Sequence, residues 1–459
     1  MITALGAIAA SVFCVGQNAT LFDGAYRVDL FSQLLKVVFA VGFGLILLLS
    51  GSLSDIRQDI RSEYYLFLAI SVSGLMMLVS CIEVITLVVA LEVSAFPVYL
   101  MVAMRREREG QRTQMESAIK YIMFGIAANG IMLFGLSYLF GLTGTTSLPI
   151  LMQKLQPVMQ SPLAIVGLGM ALCGFYYKLA IFPFHFWTPD VYQGASNETA
   201  GLVASLPKVG GVAILVRFVS LANPDNRTLA LLLSLLAVGS MFYGNLIALM
   251  QKDFKRLLGF SGIAHAGYAL VGFVALDQFG FSAALYYIIG YLLMVLACFV
   301  VICKVSRDGT NVRIEELAGL HKRSPLLALT LAVGVFALAG IPPFVGFMGK
   351  LTLLSSALNK GHLALVIIAV VNTAIAVYYY LAVVREAWFK DPGDLPAIRM
   401  DWKTRTLCYS LMAGILALGV VPGRVISTIS TSVAEITTPH SELPPTVIGQ
   451  HSTTSALLE

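Results

Sequence analysis

Apolar stretches close to the ~20 residues that cross a bilayer recur from one end of this chain to the other. The lipid interior offers backbone groups no water, so such a chain spans as helices or as a closed barrel. Barrel strands need ~10-residue alternation, and the sequence has none. Only 12% of the 459 residues are charged, about half the share of a soluble domain. The reading is therefore an all-α integral membrane protein with no separate soluble domain.

Candidate spans run at 1–16, 29–50, 64–82, 83–103, 117–141, 163–182, 199–220, 229–250, 257–275, 281–304, 327–357, 361–384 and 406–425, thirteen in all. Alternate loops divide the basic residues nineteen to five. The rich side includes Arg57, Arg105, Arg108, Arg112, Lys252, Lys255 and Arg256. The positive-inside rule makes that side cytoplasmic, which sends the C-terminus out of the cytoplasm. The net charge of +5 is thus explained by topology and does not point to nucleic acid.

Six of the 30 Lys and Arg remain within or at the ends of spans: Lys36, Lys120, Lys178, Lys208, Arg217 and Lys350. A charge near mid-membrane costs about 2.5–3.5 kcal/mol even on the lenient insertion scale. Lys36 is expected to snorkel, Lys120 to pair with Glu116 at i, i+4, and Arg217 to be structural. The other three lie where helices are weak. Lys178 precedes Pro183, Lys208 follows Pro207 and precedes Gly210-Gly211, and Lys350 follows Pro342-Pro343. Proline frees backbone carbonyls, and in lipid such breaks line cavities. Glu92 stands in the apolar run 87–100, so it is expected to be protonated or paired, with Lys178 as first partner. Buried lysine exchanges its proton readily, so Glu92, Lys178, Lys208 and Lys350 read as a relay. His265 is either a hydrogen-bonded core residue or a link between the lysine sites.

Two stretches rhyme: Glu116-Ser117-Ala118-Ile119-Lys120-Tyr121 and Phe281-Ser282-Ala283-Ala284-Leu285-Tyr286 open spans from opposite sides. A span with one lysine beside prolines follows each, which suggests an inverted repeat with the lysines at corresponding places. The six cysteines form no CxxC or Cys/His cluster, and no phosphate loop or dinucleotide fingerprint appears. Any electron carrier is expected on a partner. Moving one charge against 100 mV costs ~2.3 kcal/mol, and nothing in this chain supplies that work.

The string from Tyr177-Lys178 through Phe182-Pro183-Phe184-His185-Phe186-Trp187-Thr188-Pro189-Asp190-Val191-Tyr192-Gln193-Gly194-Ala195 resembles a signature of the antiporter-like membrane subunits of NADH:quinone oxidoreductase, respiratory complex I. It is most similar to the N type (mitochondrial subunit 2). Leu91 to Pro97, Lys252 to Ser261 and Gly346 to Lys350 add further matches. The resemblance implies two inverted five-helix bundles with broken helices, and relatives among Mrp-type cation/proton antiporters. It implies a coupled Glu92–Lys178 pair, Lys208 as connector, His265 near the centre and Lys350 as exit-side site. The implied division is 1–82 peripheral helices, 83–222 first repeat core, 223–388 second inverted repeat, 389–425 a loop and last helix, and 426–459 a disordered extracytoplasmic tail.

The function implied is proton translocation by one subunit of an enzyme complex in the cell inner membrane, driven by electron transfer elsewhere. No cofactor is expected in this chain. Flavin and Fe–S clusters are expected in partner subunits, quinone elsewhere in the complex, and further antiporter-like subunits alongside. The alternatives are a stand-alone or Mrp-like antiporter, or a structural subunit of a membrane-bound hydrogenase complex. Three departures from the family pattern stand out. The chain starts one span late, so either a further span is encoded upstream of Met1 or a peripheral helix has been lost. Glu83 adds an acid near Glu92. Ser196-Asn197-Glu198 replaces a stretch where the family usually has prolines.

Overall fold

The computed structural model describes residues 1–51, 53–107, 113–220 and 224–437. The expectations for Arg108, Arg112 and the tail 438–459 lie outside the described residues. The chain begins with helix α1 (Ile2–Phe13) and a hairpin of β1 (Ala19–Leu21) and β2 (Tyr26–Val28), antiparallel with Thr20 opposite Arg27. Then follow α2 (Leu30–Leu49), α3 (Arg61–Leu78), α4 (Val84–Ala103), α5 (Thr113–Thr143), α6 (Leu148–Leu155), α7 (Pro162–Leu179), α8 (Trp187–Gly194), α9 (Asn197–Ala204) and α10 (Leu206–Val219). The second half contains α11 (Arg227–Ala248), α12 (Phe254–Val274), α13 (Gln278–Val305), α14 (Leu320–Arg323), α15 (Pro325–Ala339), α16 (Val345–Asn359), α17 (Leu363–Phe389), α18 (Trp402–Val420) and α19 (Pro422–Thr437).

Each of the thirteen apolar segments falls on one helix or on a pair of helices separated by a break. Among the described residues nine spans are long and apolar enough to cross a membrane alone, or ten if the bent pair α18 and α19 counts as one. Helices α1 and α15 are apolar but shorter. Residues 426–437, placed at the start of a disordered tail, are instead helical, as part of α19. The small polar residues there donate back to the preceding turn of the helix, as the Ser427 and Thr428 hydroxyls do to the Arg424 carbonyl. Ile429 and Val433 are buried, so an apolar stripe anchors the helix.

Burial divides the helices by role. The α9–α10 span and α12 are buried over their whole length, whereas α5 and α17 bury only a third of theirs. A helix surrounded on all sides is apolar all round, and α12 meets that rule except at the few polar residues discussed below. The outer helices turn Met123, Ile126, Phe134, Leu235, Ile367 and Tyr378 outward, as lipid contact requires.

The two proline-bearing breaks share one local geometry. Helix α7 ends at Ala180 in the left-handed region, φ 61°. The Ala180 N–H bonds the Tyr177 carbonyl and Ile181 bonds that of Tyr176. Helix α15 ends at Gly340, φ 87°, with Gly340 bonding Ala337 and Ile341 bonding Phe336. Both are Schellman caps, which satisfy the last carbonyls of a helix. The lysines are not equivalent, contrary to expectation. Lys178 precedes its break in the last turn of α7, whereas Lys350 follows its break in α16. A Cβ at Gly340 would stand 3.0 Å from Lys350 Cδ and 3.3 Å from its Nζ. Gly340→Ala is therefore expected to cost about 1–2 kcal/mol from the left-handed backbone alone and to displace the lysine stem as well. A thermal-shift measurement in detergent checks this, and an unchanged midpoint would count against the capped break.

Candidate functional site

Helix α4 presents Glu92 and Ser94 to different neighbours, because residues two apart point to nearly opposite sides of a helix. Glu92 accepts a hydrogen bond from Asn129 Nδ2 on α5. Lys178 Nζ donates to Ser94 Oγ at 2.6 Å, and Ser94 Oγ in turn donates to the Leu91 carbonyl. The expected Glu92–Lys178 ion pair is thus not a direct contact among the described residues, although the two charges act on each other. A cavity of about 20 Å³ touches Ser94, Asn129, Tyr177, Lys178 and Pro207. That is room for one water, and Pro207 brings it next to Lys208.

Lys208, 1% exposed, rises from the first turn of α10 after Ser205 interrupts the span. Its Nζ donates to the Gly262 carbonyl of α12 at 2.8 Å and lies over the Tyr291 ring at 5.1 Å. Small residues let this happen: a Cβ at Gly262 would stand 2.7 Å from the ammonium nitrogen. His265, one turn on, packs on Tyr291 with centroids 5.0 Å apart. Its Nδ1 pairs with the Tyr287 hydroxyl at 2.6 Å and its Nε2 with the Tyr380 hydroxyl at 3.0 Å. Lys208 and Lys350 both act on the imidazole electrostatically. In the structure His265 is a buried core residue with both ring nitrogens hydrogen-bonded.

Lys350 reaches back across its break to the Leu338 and Ala339 carbonyls at 3.2 and 3.0 Å. Its Nζ lies 4.7 Å from the centre of the Tyr268 ring, and Tyr268 packs near His265 at 6.2 Å. Lys208, His265 and Lys350 are thereby joined through Tyr291, Tyr287, Tyr380 and Tyr268, while Lys178 and Asn129, the partner of Glu92, share the wall of the small cavity.

The remaining charges behave as support. Arg217 bonds the Val79 carbonyl at 2.7 Å and faces Asp29 at 3.4 Å. Lys120 pairs with Glu116 and with Asp190, each at 2.7 Å, and Lys36 lies over the Tyr26 ring. Glu83 caps α4 by accepting from the Thr86 N–H, so it serves the helix end. Arg105, expected in a loop, is mostly buried against Asp55 at 2.5 Å.

Sequence reasoning missed several groups. Lys255 was counted in a loop, yet it is fully buried in the first turn of α12 and donates to the Ala195 carbonyl at 2.8 Å. His185, 1% exposed, has no hydrogen-bond partner on either ring nitrogen and packs against Tyr243 at 4.1 Å. It lies in the Phe182-Pro183-Phe184-His185 string, where proximity to the break was a usable signal. Asn245 bonds Asn372 and accepts from Tyr379. A lone asparagine in each of two apolar runs was the signal there.

Residues 81–376, more than half of the chain, match the family described as NADH:quinone oxidoreductase/Mrp antiporter, TM. The chain is 65% identical over 437 residues to NADH-quinone oxidoreductase subunit N 2 of Opitutus terrae, covering 95% of this chain and 91% of that one. It is 43% identical to the subunit N 2 of Syntrophobacter fumaroxidans, covering 93% and 90%. A chain of respiratory complex I from Thermus thermophilus superposes with a TM-score of 0.80 at 31% identity, covering 93% and 92%. A chain of the Mrp complex from Dietzia gives 0.84 at 21% identity, covering 95% and 91%, a likeness of fold.

The hydroxyl clamp on His265 has a direct test. Tyr287→Phe and Tyr380→Phe each delete one hydrogen bond to a buried ring, at about 1 kcal/mol apiece. The double variant should lose more than either single, read as thermal stability and as proton uptake by membrane vesicles.

Proposed function

The chain belongs to the NADH:quinone oxidoreductase/Mrp antiporter family, and from that premise we propose how its buried charges do their work. It is a proton-translocating membrane subunit, N type, of a complex I-type NADH:quinone oxidoreductase. It acts within a multi-subunit membrane complex beside other antiporter-like subunits. Electron transfer belongs to partner subunits carrying flavin and Fe–S clusters, with quinone bound away from this chain.

One observation carries the mechanism. Lys208, His265 and Lys350 are buried and held only by neutral partners: carbonyls, hydroxyls and aromatic faces. Lys178 likewise donates to a serine hydroxyl. A carbonyl accepts from an ammonium and from a neutral amine alike, so these contacts survive loss of the proton. Protons move along Glu92, Lys178, Lys208, His265 and Lys350, with Glu92 biasing Lys178 through the field rather than by contact. Its middle members, Lys208 and His265, stand on the two most buried spans.

The thirteen-span topology joins α9 to α10 and α15 to α16 as single broken spans and lets α1, α3 and α18 cross. Two inverted repeats, one around α7 and the other around α15, are supported by the shared capping of their breaks. The basic loops face the cytoplasm of a cell with the complex in its inner membrane, and the C-terminus lies outside. The likeness to the Mrp complex extends to fold, whereas 65% identity is to a subunit N, and this favours the complex I reading over a free antiporter.

Two measurements test this. In a cysteine-free background, a cysteine at exposed position 57 should resist an impermeant reagent added outside, and one at exposed position 424 should react. The reverse pattern would invert the topology. Lys178→Arg and Lys350→Arg keep the charge but scarcely release a proton. Both should assemble on a native gel while proton uptake falls on the order of tenfold, equivalent to about 1.4 kcal/mol on the transfer barrier. Wild-type pumping by both would make these lysines structural.

A further inference from the structure

Helix α9 opens with the tripeptide in which this sequence departs from the prolines of its family. Its acid, Glu198, is 2% exposed, and its Oε2 has no protein partner. The charged and titratable groups around it come from five elements or loops: Lys255 on α12, Asp55 and Arg105 paired with each other, Tyr64 on α3 and Cys303 on α13. The Asp55–Arg105 pair, at 2.5 Å, is already matched in charge. Lys255, fully buried, has one neutral partner, the Ala195 carbonyl. Asn197 Oδ1 is also buried without a protein partner, and the buried Tyr64 hydroxyl lies within reach of Ser50 and Thr199. Unmet polar atoms around one acid mark a place that water fills.

The site lies one layer below the loop that bears exposed Arg307 and Asp308, because Asn197 Nδ2 bonds the Gly309 and Thr310 carbonyls. A path leads inward from it. Lys255 and Gly262 are seven residues apart on α12, hence on one face and about 10.5 Å apart along the axis. Gly262 supplies the carbonyl that holds Lys208. Tyr192 lies along this interval. A Cβ at Gly259 would meet its ring at 3.6 Å, and one at Gly262 would meet its hydroxyl at 3.8 Å and Tyr291's at 3.0 Å. Both hydroxyls are buried and have no protein partner.

We infer that Glu198 and Lys255 form a proton-uptake site on the basic, cytoplasmic end of the protein and load Lys208 through Tyr192. The carboxylate takes a proton from loop-side water. The resulting acid passes it to the neutral Lys255 amine, leaving carboxylate and ammonium. The ammonium gives a proton to one side of the Tyr192 oxygen as the hydroxyl releases its own toward Lys208, so each group returns to its starting form. This rests on the reading of Lys208 as a relay member.

The test uses the assembled complex in inside-out membrane vesicles, with NADH:quinone electron transfer, proton uptake and redox-linked infrared difference spectra as readouts. Glu198→Gln should assemble, lose uptake on the order of tenfold and lose a carboxyl band, while Glu198→Asp should keep most uptake. A purely structural acid would leave the infrared difference spectrum unmoved. Wild-type uptake in Glu198→Gln alongside loss in Lys208→Ala would overturn this site and leave the relay standing. Wild-type uptake in both would end the relay reading too. If Glu198→Gln fails to assemble, Tyr192→Phe, which keeps the ring packing, decides: slowed uptake supports the path, and unchanged uptake rejects it.

Discussion

A buried ammonium must be hydrogen-bonded, and the identity of its acceptor decides whether it is a strut or a carrier. Carboxylate partners stabilise the charged form, and guanidinium with carboxylate is locked. Arg217 with Asp29 and Arg105 with Asp55 are of that kind, and both tie elements together. Lys208, Lys255 and Lys350 instead meet backbone carbonyls. Helix-interior carbonyls are already engaged by their own helix and shielded by side chains, so the fold must either free a carbonyl or uncover the second lone pair of one. It does so by stopping helices at Leu338–Ala339 and at Ala195, and by placing Gly262 where a side chain would otherwise block approach. Breaks and glycines are therefore requirements of the buried lysines.

The same logic explains why the two central spans are the most buried. A carrier lysine near lipid would snorkel to the interface, as Lys36 does toward Tyr26. Enclosure by other helices keeps Lys208 and His265 away from both lipid and bulk water. Tyrosines then supply what the apolar wall lacks, hydroxyls able to accept and donate in turn. Four of them surround His265 and its flanking lysines.

The spans, the breaks and the positions of Lys178, Lys208, His265 and Lys350 were legible because bilayer length, proline and an isolated charge each leave a one-dimensional mark. Partners were not legible. Glu92 and Lys178 seemed a pair because each was the other's obvious complement, yet helix α4 points Glu92 at Asn129 and offers Ser94 to the lysine. Only the rotation of one helix against its neighbours decides that. Lys255 was hidden for a different reason. Two residues into its helix and beside Lys252 and Arg256, it looks like a loop cation, and its partner is the Ala195 carbonyl at the end of α8, sixty residues earlier in the sequence.

The lysines beside the two breaks sit in unlike surroundings although the breaks share one cap. The caps at Ala180 and Gly340 are the same motif, formed by the same hydrogen bonds. Yet Lys178 stands before its break, next to a hydroxyl and in the field of Glu92, whereas Lys350 stands after its break and closes back on the freed carbonyls. Glu92 itself is turned to Asn129 on α5, so Lys178 and Lys350 both donate to neutral acceptors. Break and cap are shared, so the difference lies in the partners: a hydroxyl for the lysine before its break, and freed carbonyls for the one after it.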